Sequence, residues 1–266
     1  MNNNLLTRVM NIIYLTLVLV FLYFPIFIVC VFSFNEGKST SSWSGFTVDW
    51  YIKLFSNESL MQALGISLAL SILVTLISVI IGVLGCVAIH KFENRLTNLM
   101  LPIIHLPVLT PEIIIGIAFM QIFSTMNIKF GIITLILSHL SFCVPFVIIV
   151  VLARMKSINA NMEDAARDLG ATEWQAFFHI TIPELLPGIV SGAALSFIMS
   201  FDDVIISFFM SGASNTTLPV KVYSMLRVGV SPEINALTTI TIVLTTVCVC
   251  IFYINKPKKL TRGLKL

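Results

Sequence analysis

Charge is what this sequence has least of. Of its 266 residues only 11% are Asp, Glu, Lys or Arg while 57% are hydrophobic, and that little polar material cannot cover the surface of a water-soluble domain. A mean hydropathy of +0.98 makes lipid the expected solvent. The formal net charge of +3 gives no electrostatic footing for nucleic acid. Cysteine is equally uninformative as chemistry. Cys30, Cys86, Cys143, Cys248 and Cys250 all fall inside apolar runs without a C-x-x-C spacing, so zinc, redox and disulfide frameworks are excluded and apolar packing is left.

Catalytic patterns are missing too. His90, His105, His139 and His179 lie on separate segments with no H-E-x-x-H, and no serine sits in G-x-S-x-G. Gly37-Lys38-Ser39 is only the tail of a phosphate-binding loop, with Phe32 where the first glycine is needed. The chain is therefore expected to be no enzyme and to hold no cofactor or metal.

What is present is a series of long apolar runs, near residues 9–32, 62–89, 99–123, 131–153, 185–209 and 234–254. Each is long enough to cross about 30 Å of hydrocarbon at about 1.5 Å per residue. The first, behind Arg8, is about 24 residues, too long for a signal-peptide core and without an A-x-A-like cleavage site. The reading is an all-α integral membrane protein of about six transmembrane helices, forming one domain over residues 1–266. Six crossings place both termini on one side, which shares its connections with Arg8, Lys91, Arg95, Arg154, Lys156, Arg167, Lys256, Lys258, Lys259, Arg262 and Lys265. The opposite side has only Lys38, Lys53, Lys129, Lys221 and Arg227, so both termini are expected in the cytoplasm.

Two connections are long. The external one, about 33–60, carries Trp43, Trp50 and Tyr51; the cytoplasmic one runs over 154–184. In the latter, Met162, Ala165, Ala166 and Leu169 recur at helical spacing opposite Glu163, Asp164, Arg167 and Asp168, and Gly170 suits a left-handed stop. Thr172 with Gln175 fits a capping box opening a second short helix with Trp174, Phe177 and Phe178, before Pro183 and Pro187 lead into the next crossing. The apolar stripe of the first helix suits either the membrane surface or a protein partner. Further on, Gly188, Gly192, Ser196 and Ser200 share one helix face that allows close approach, either within the chain or against another subunit.

This loop resembles a known family. Asp164-Ala165-Ala166, Gly170 and, nine residues on, Ile180-Thr181-Ile182-Pro183 resemble the E-A-A-x-x-x-G-x9-I-x-L-P loop of permease subunits of bacterial ABC importers, with Asp164 for the usual Glu and Ile182 for the usual Leu. The resemblance implies the type I importer (MetI-like) permease fold, and a coupling helix seated through Glu163, Asp164, Ala165, Ala166 and Gly170 in a separate ATPase subunit, which binds the ATP and Mg.

Ionisable residues within apolar runs need a partner or an aqueous cavity. Asp202 and Asp203 lie about 22 Å along the fifth helix from Pro187, near its C-terminal end, where the macrodipole disfavours negative charge and a pure capping role is not expected. Glu112 follows Pro111 in a run already holding Pro102 and Pro107, a pattern of broken helices with midplane sites. A pairing or turn-stabilising role for Glu112 stays open. Trp50 and Tyr23 offer faces to an ammonium group, or anchor in the interface. Anionic residues with aromatics suit a flexible polycation better than an oxyanion.

Residues 200–204, 218–225, 229–237, 138–146 and 46–51 are similar to C-type permease subunits of spermidine/putrescine importers. That implies a second, homologous permease, two ATPase copies, an external polyamine-binding protein and a bacterial inner-membrane location. Importers of another cationic or metal cargo, an ion-coupled carrier or channel, and an intramembrane enzyme acting on lipid are the alternatives.

Overall fold

The computed structural model describes residues 3–38, 42–91, 95–158, 161–212, 215–229 and 231–254. The side chains of Cys248 and Cys250, and the basic residues after position 255 used to orient the chain, lie outside the described residues. All regular structure among the described residues is helical apart from one isolated antiparallel bridge, Asn35 with Phe46. Among the described residues four helices are long and apolar enough to cross a membrane, and a bent pair makes a fifth candidate.

The chain divides into two compact units. The first holds α1 (Asn3–Phe32), the short α2 (Asp49–Ser56) and α12 (Pro232–Ile254). Nearly every side chain of α1 from residue 7 to residue 28 is exposed, so this helix presents its apolar surface outward. Between α1 and α2 the external connection folds on itself around Asn35. Its amide nitrogen donates to the Ser42 carbonyl at 2.9 Å and its amide oxygen accepts from Ser44 N at 2.8 Å. The indole of Trp50 donates to the Asn35 carbonyl at 2.8 Å. Asn57, just after α2, donates to Glu233 at the head of α12 over 3.2 Å.

The second unit runs from residue 59 to residue 224. It contains α3 (Glu58–Lys91), α4 (Arg95–Leu109), α5 (Glu112–Thr125), α6 (Ile132–Met155), α7 (Asn161–Asp168), α8 (Glu173–Ala176), α9 (Ile182–Asp202), α10 (Ile205–Met210) and the start of α11 (Leu218–Val228). Its centre is α6. Lipid supplies no hydrophobic drive between helices, so their association rests on close packing of small residues. Gly82 of α3 packs on α6 so closely that a Cβ there would sit 2.5 Å from Val147 Cγ1. From the other side Gly188 of α9 brings its backbone against Arg154, and Gly192 approaches Val147. The face of Gly188, Gly192, Ser196 and Ser200 is thus buried within the chain, on α6, and is not available to another subunit.

Three boundaries differ from the sequence expectation. The run 99–123 is not one straight helix: α4 and α5 meet at a bend of 104°. Pro111 removes a backbone donor and disfavours helical geometry at Thr110, which ends α4. The second loop helix is not separate either. Glu173 to Asp202 is continuous through a π turn over Phe177–Thr181, where Ile182 N bonds Phe177 O. Pro183 cannot donate to the preceding turn, and the widened turn absorbs that loss. Finally, the run 185–209 breaks at Asp203 and Val204 before α10 begins.

Candidate functional site

Two places in the second unit gather the polar groups. The first is the break between α9 and α10. Asp203 leaves α9 in extended conformation, and its carboxylate accepts from Ser207 N at 2.6 Å and Ile206 N at 3.3 Å. It caps the first turn of α10, contrary to the expectation that capping is disfavoured here. The reason is that the chain breaks at this residue, so Asp203 ends one helix and starts another, where backbone N–H groups and the dipole favour an anion.

His139 of α6, fully buried, stands beside it. One ring nitrogen lies 2.9 Å from Ser200 Oγ; the other lies 3.1 Å from Ser207 Oγ and 3.5 Å from Asp203 Oδ2. Thr134 secures the far end of α10 by donating to the Met210 carbonyl at 3.1 Å, while accepting from Gly131 N at 2.9 Å. Serine, histidine and aspartate meet here, with Ser200 on one imidazole nitrogen and Ser207 and Asp203 on the other. All four side chains are buried, so the cluster ties α6, α9 and α10 together as a buried clasp. His139, Ser200 and Ser207 went unremarked as site residues; the signal was a histidine and an aspartate in separate apolar runs, each needing a partner.

Asp202 and Glu112 are placed differently. Both are exposed, neither has a hydrogen-bonding or ionic partner among the described residues, and they lie near enough to one another and to Asp203 for their charges to interact. Packing sets this arrangement, because α10 lies against α5 with the Phe209 ring on Gly116. Asp202 occupies the C-terminal end of α9, against the helix dipole; Glu112 opens α5, in accord with it.

The two aromatics belong to the other unit. Tyr23 is exposed on α1. Trp50 is only 6% exposed, its N–H is engaged by Asn35, and Lys53 Nζ lies 4.4 Å over its ring. The ring of Trp50 already holds a cation of its own chain, which occupies the face that an ammonium group would use.

The second place is the loop between α6 and α9. Its stop is as the sequence indicates: Gly170 takes φ +91°, a value other residues rarely adopt, and its N–H bonds the Arg167 carbonyl. Thr172 and Gln175 form a reciprocal capping box, at 2.9 and 3.3 Å. The apolar stripe of α7 points away from the unit, with Leu169 90% exposed. Asp164 and Ala165 are exposed beside it. Glu163 instead turns inward, accepting from Thr181 Oγ1 and lying 3.7 Å from Arg167, so it braces α7 against the π turn. At the root of the loop, Arg154 of α6 donates to the Glu184 carbonyl at 2.9 Å and pairs with its carboxylate at 3.0 Å. The helices on either side of the loop are clamped to each other.

A fold of broken membrane helices around an outward-facing loop helix finds its counterpart among known proteins. The family model described as "Binding-protein-dependent transport system inner membrane component" matches residues 78–257. The chain belongs to this family. It is 39% identical over 236 residues to the spermidine/putrescine transport system permease protein PotC of Escherichia coli strain K12, covering 89% of each chain. It is 35% identical over 237 residues to the putrescine transport system permease protein PotI of the same organism, covering 86% of this chain and 84% of that one. Among solved structures, a bacterial alginate ABC transporter in complex with an alginate pentasaccharide-bound periplasmic protein has a chain with TM-score 0.72 at 20% identity, covering 97% of this chain and 96% of that one. The permease has the MetI-like importer fold and is a multi-pass membrane protein.

Proposed function

We propose that this permease carries polyamines inward through a bacterial inner membrane, driven by a separate ATPase, and that Asp202 and Glu112 face the cargo. The observation that carries the cargo assignment is a pair of exposed carboxylates, without a hydrogen-bonding or ionic partner among the described residues, at the breaks of two apolar helices. Lone carboxylates there are costly unless water or a cation attends them, and a flexible chain of ammonium groups supplies cations at successive positions. Identity of 39% and 35% to permeases named for spermidine and putrescine supports the same reading.

The drive enters at α7. An outward apolar stripe with Leu169 bare, flanked by Asp164, Ala165 and Ala166 and stopped by Gly170, suits a groove on a cytoplasmic ATPase. Because Arg154 and Glu184 clamp α6 to α9, displacement of the loop moves both helices together. A homologous second permease, two ATPase copies and an external binding protein complete the assembly, with both termini of this chain in the cytoplasm. Purification of the chain from its native membrane should bring these proteins with it. Liposomes holding the assembly should take up labelled spermidine only with internal ATP, and unlabelled putrescine should compete where amino acids and ferric chelates do not. Uptake by this chain alone, without ATP, would establish an ion-coupled carrier in its place.

A further inference from the structure

Beneath the loop helix the second unit holds a pocket of about 390 Å³ that transport as described does not use. Its apolar floor comes from Leu84 and Val87 of α3 and from Phe177. Its rim carries charge of both signs: Lys91 and Arg167 against Glu163 and Glu173, with Lys91 Nζ 2.9 Å from Glu173. The pocket sits where the apolar helices α3 and α6 end and charged residues begin, which puts it at the edge of the apolar spans. Leu73, Leu76, Ile80 and Leu84 follow one another at spacings of three and four along α3, 43 to 61% exposed, and Val87 and Lys91 continue that face into the pocket. The ridge from Leu73 to Leu84 is about 16 Å long, about half of a hydrocarbon core of about 30 Å.

We propose that this pocket is a binding site for one phospholipid with a primary-amine headgroup, an aminophospholipid of the phosphatidylethanolamine class. The acyl chain lies along the α3 ridge for the depth of one leaflet and the headgroup enters the rim. There the phosphate accepts from Lys91 and Arg167, and the ammonium donates to Glu173 and Glu163. The rim cations and carboxylates balance, which matches a headgroup of zero net charge. An anionic headgroup would meet two carboxylates with nothing to offer them, and a choline headgroup has no N–H to donate. The volume falls in the range of small-molecule sites, about 300–1,000 Å³, and cannot enclose the acyl chains as well, so these must run out along α3. The inference does not depend on the cargo.

The test is native mass spectrometry of the assembly extracted in mild detergent, followed by titration of the delipidated assembly in nanodiscs with phosphatidylethanolamine, phosphatidylcholine and phosphatidylglycerol. One phosphatidylethanolamine per copy of this chain should persist, bound at least tenfold more tightly than the other two. Leu84→Trp, which fills the floor, should reduce that binding at least tenfold. Glu173→Gln, a surface change that leaves folding intact, should release Lys91 from its carboxylate and shift preference toward phosphatidylglycerol. Equal binding of the three lipids, or unchanged preference in Glu173→Gln, would overturn the proposal. So would a cysteine placed by Leu84→Cys, in a protein whose five native cysteines are replaced, that cross-links to a neighbouring subunit and not to a thiol-reactive phosphatidylethanolamine.

Discussion

Three acidic residues lie close together in the second unit, and the geometry assigns them opposite kinds of importance. Asp203 accepts two backbone N–H bonds and stands beside a buried histidine, whereas Asp202 and Glu112 have no partner among the described residues. In Asp203→Asn the remaining oxygen can satisfy one N–H, while the amide turns donors toward the other. A hydrogen bond to a charged group contributes about 1.5–3 kcal/mol, so this variant should lose about 2 kcal/mol of stability. Asp203→Ala leaves both backbone N–H groups without their acceptor while His139 keeps Ser200 and Ser207, for about 2–6 kcal/mol. Asp202→Asn and Glu112→Gln break no bond and should stay within about 0.5 kcal/mol of the parent. Function should run the other way. If each of these two carboxylates contributes about 1.4 kcal/mol to holding a polyamine, its neutralisation raises the uptake KM about tenfold. Thermal unfolding of the nanodisc-embedded assembly, paired with initial rates of labelled spermidine uptake in liposomes, reads both quantities on the same preparations. Two outcomes would refute the reasoning. An Asp203→Asn protein of parental thermal stability and severely reduced uptake would make Asp203 a cargo contact. Parental uptake in the Asp202→Asn, Glu112→Gln double variant would remove the proposed cargo site.

At the α3–α6 contact, Gly82→Ala should destabilise by about 1–3 kcal/mol through its clash with Val147. Adding Val147→Ala should recover part of that loss, a non-additivity measurable by thermal unfolding of the four proteins in the cycle. In the loop, Gly170→Ala forces an L side chain to φ +91° and should weaken ATPase stimulation by loaded binding protein more than it lowers the amount of assembled complex. Equal loss of both would mean that the residue matters only for folding. Arg154→Ala should uncouple the helix pair, with ATP hydrolysed per spermidine imported rising while ATPase activity persists. An unchanged ratio would show that the clamp carries no motion.

Much of the loop could be read without a structure because its determinants are local. Gly170 has to take a left-handed conformation whatever surrounds it, and the Thr172–Gln175 capping box closes within three residues. The apolar face of α7 follows from spacing alone. The orientation of Glu163 was not readable in this way. A carboxylate on the polar face of a short helix can point to solvent or back to the body, and Thr181, eighteen residues on, draws it inward.

The membrane spans divide along the same line. Composition and run length determined that this chain lives in lipid, where its helices fall to within several residues, and that five prolines mark the 99–123 run and the start of the fifth span, because hydrophobic length and a missing backbone donor act where they stand in the sequence. Tertiary structure alone decided that α4 and α5 meet at 104°, that the glycine–serine face of α9 packs on α6, and that Asp203 serves a buried clasp while Asp202 stays bare. Adjacent aspartates in one sequence have the same local chemistry. Their difference arises from His139 and Ser207, which only folding brings to one of them.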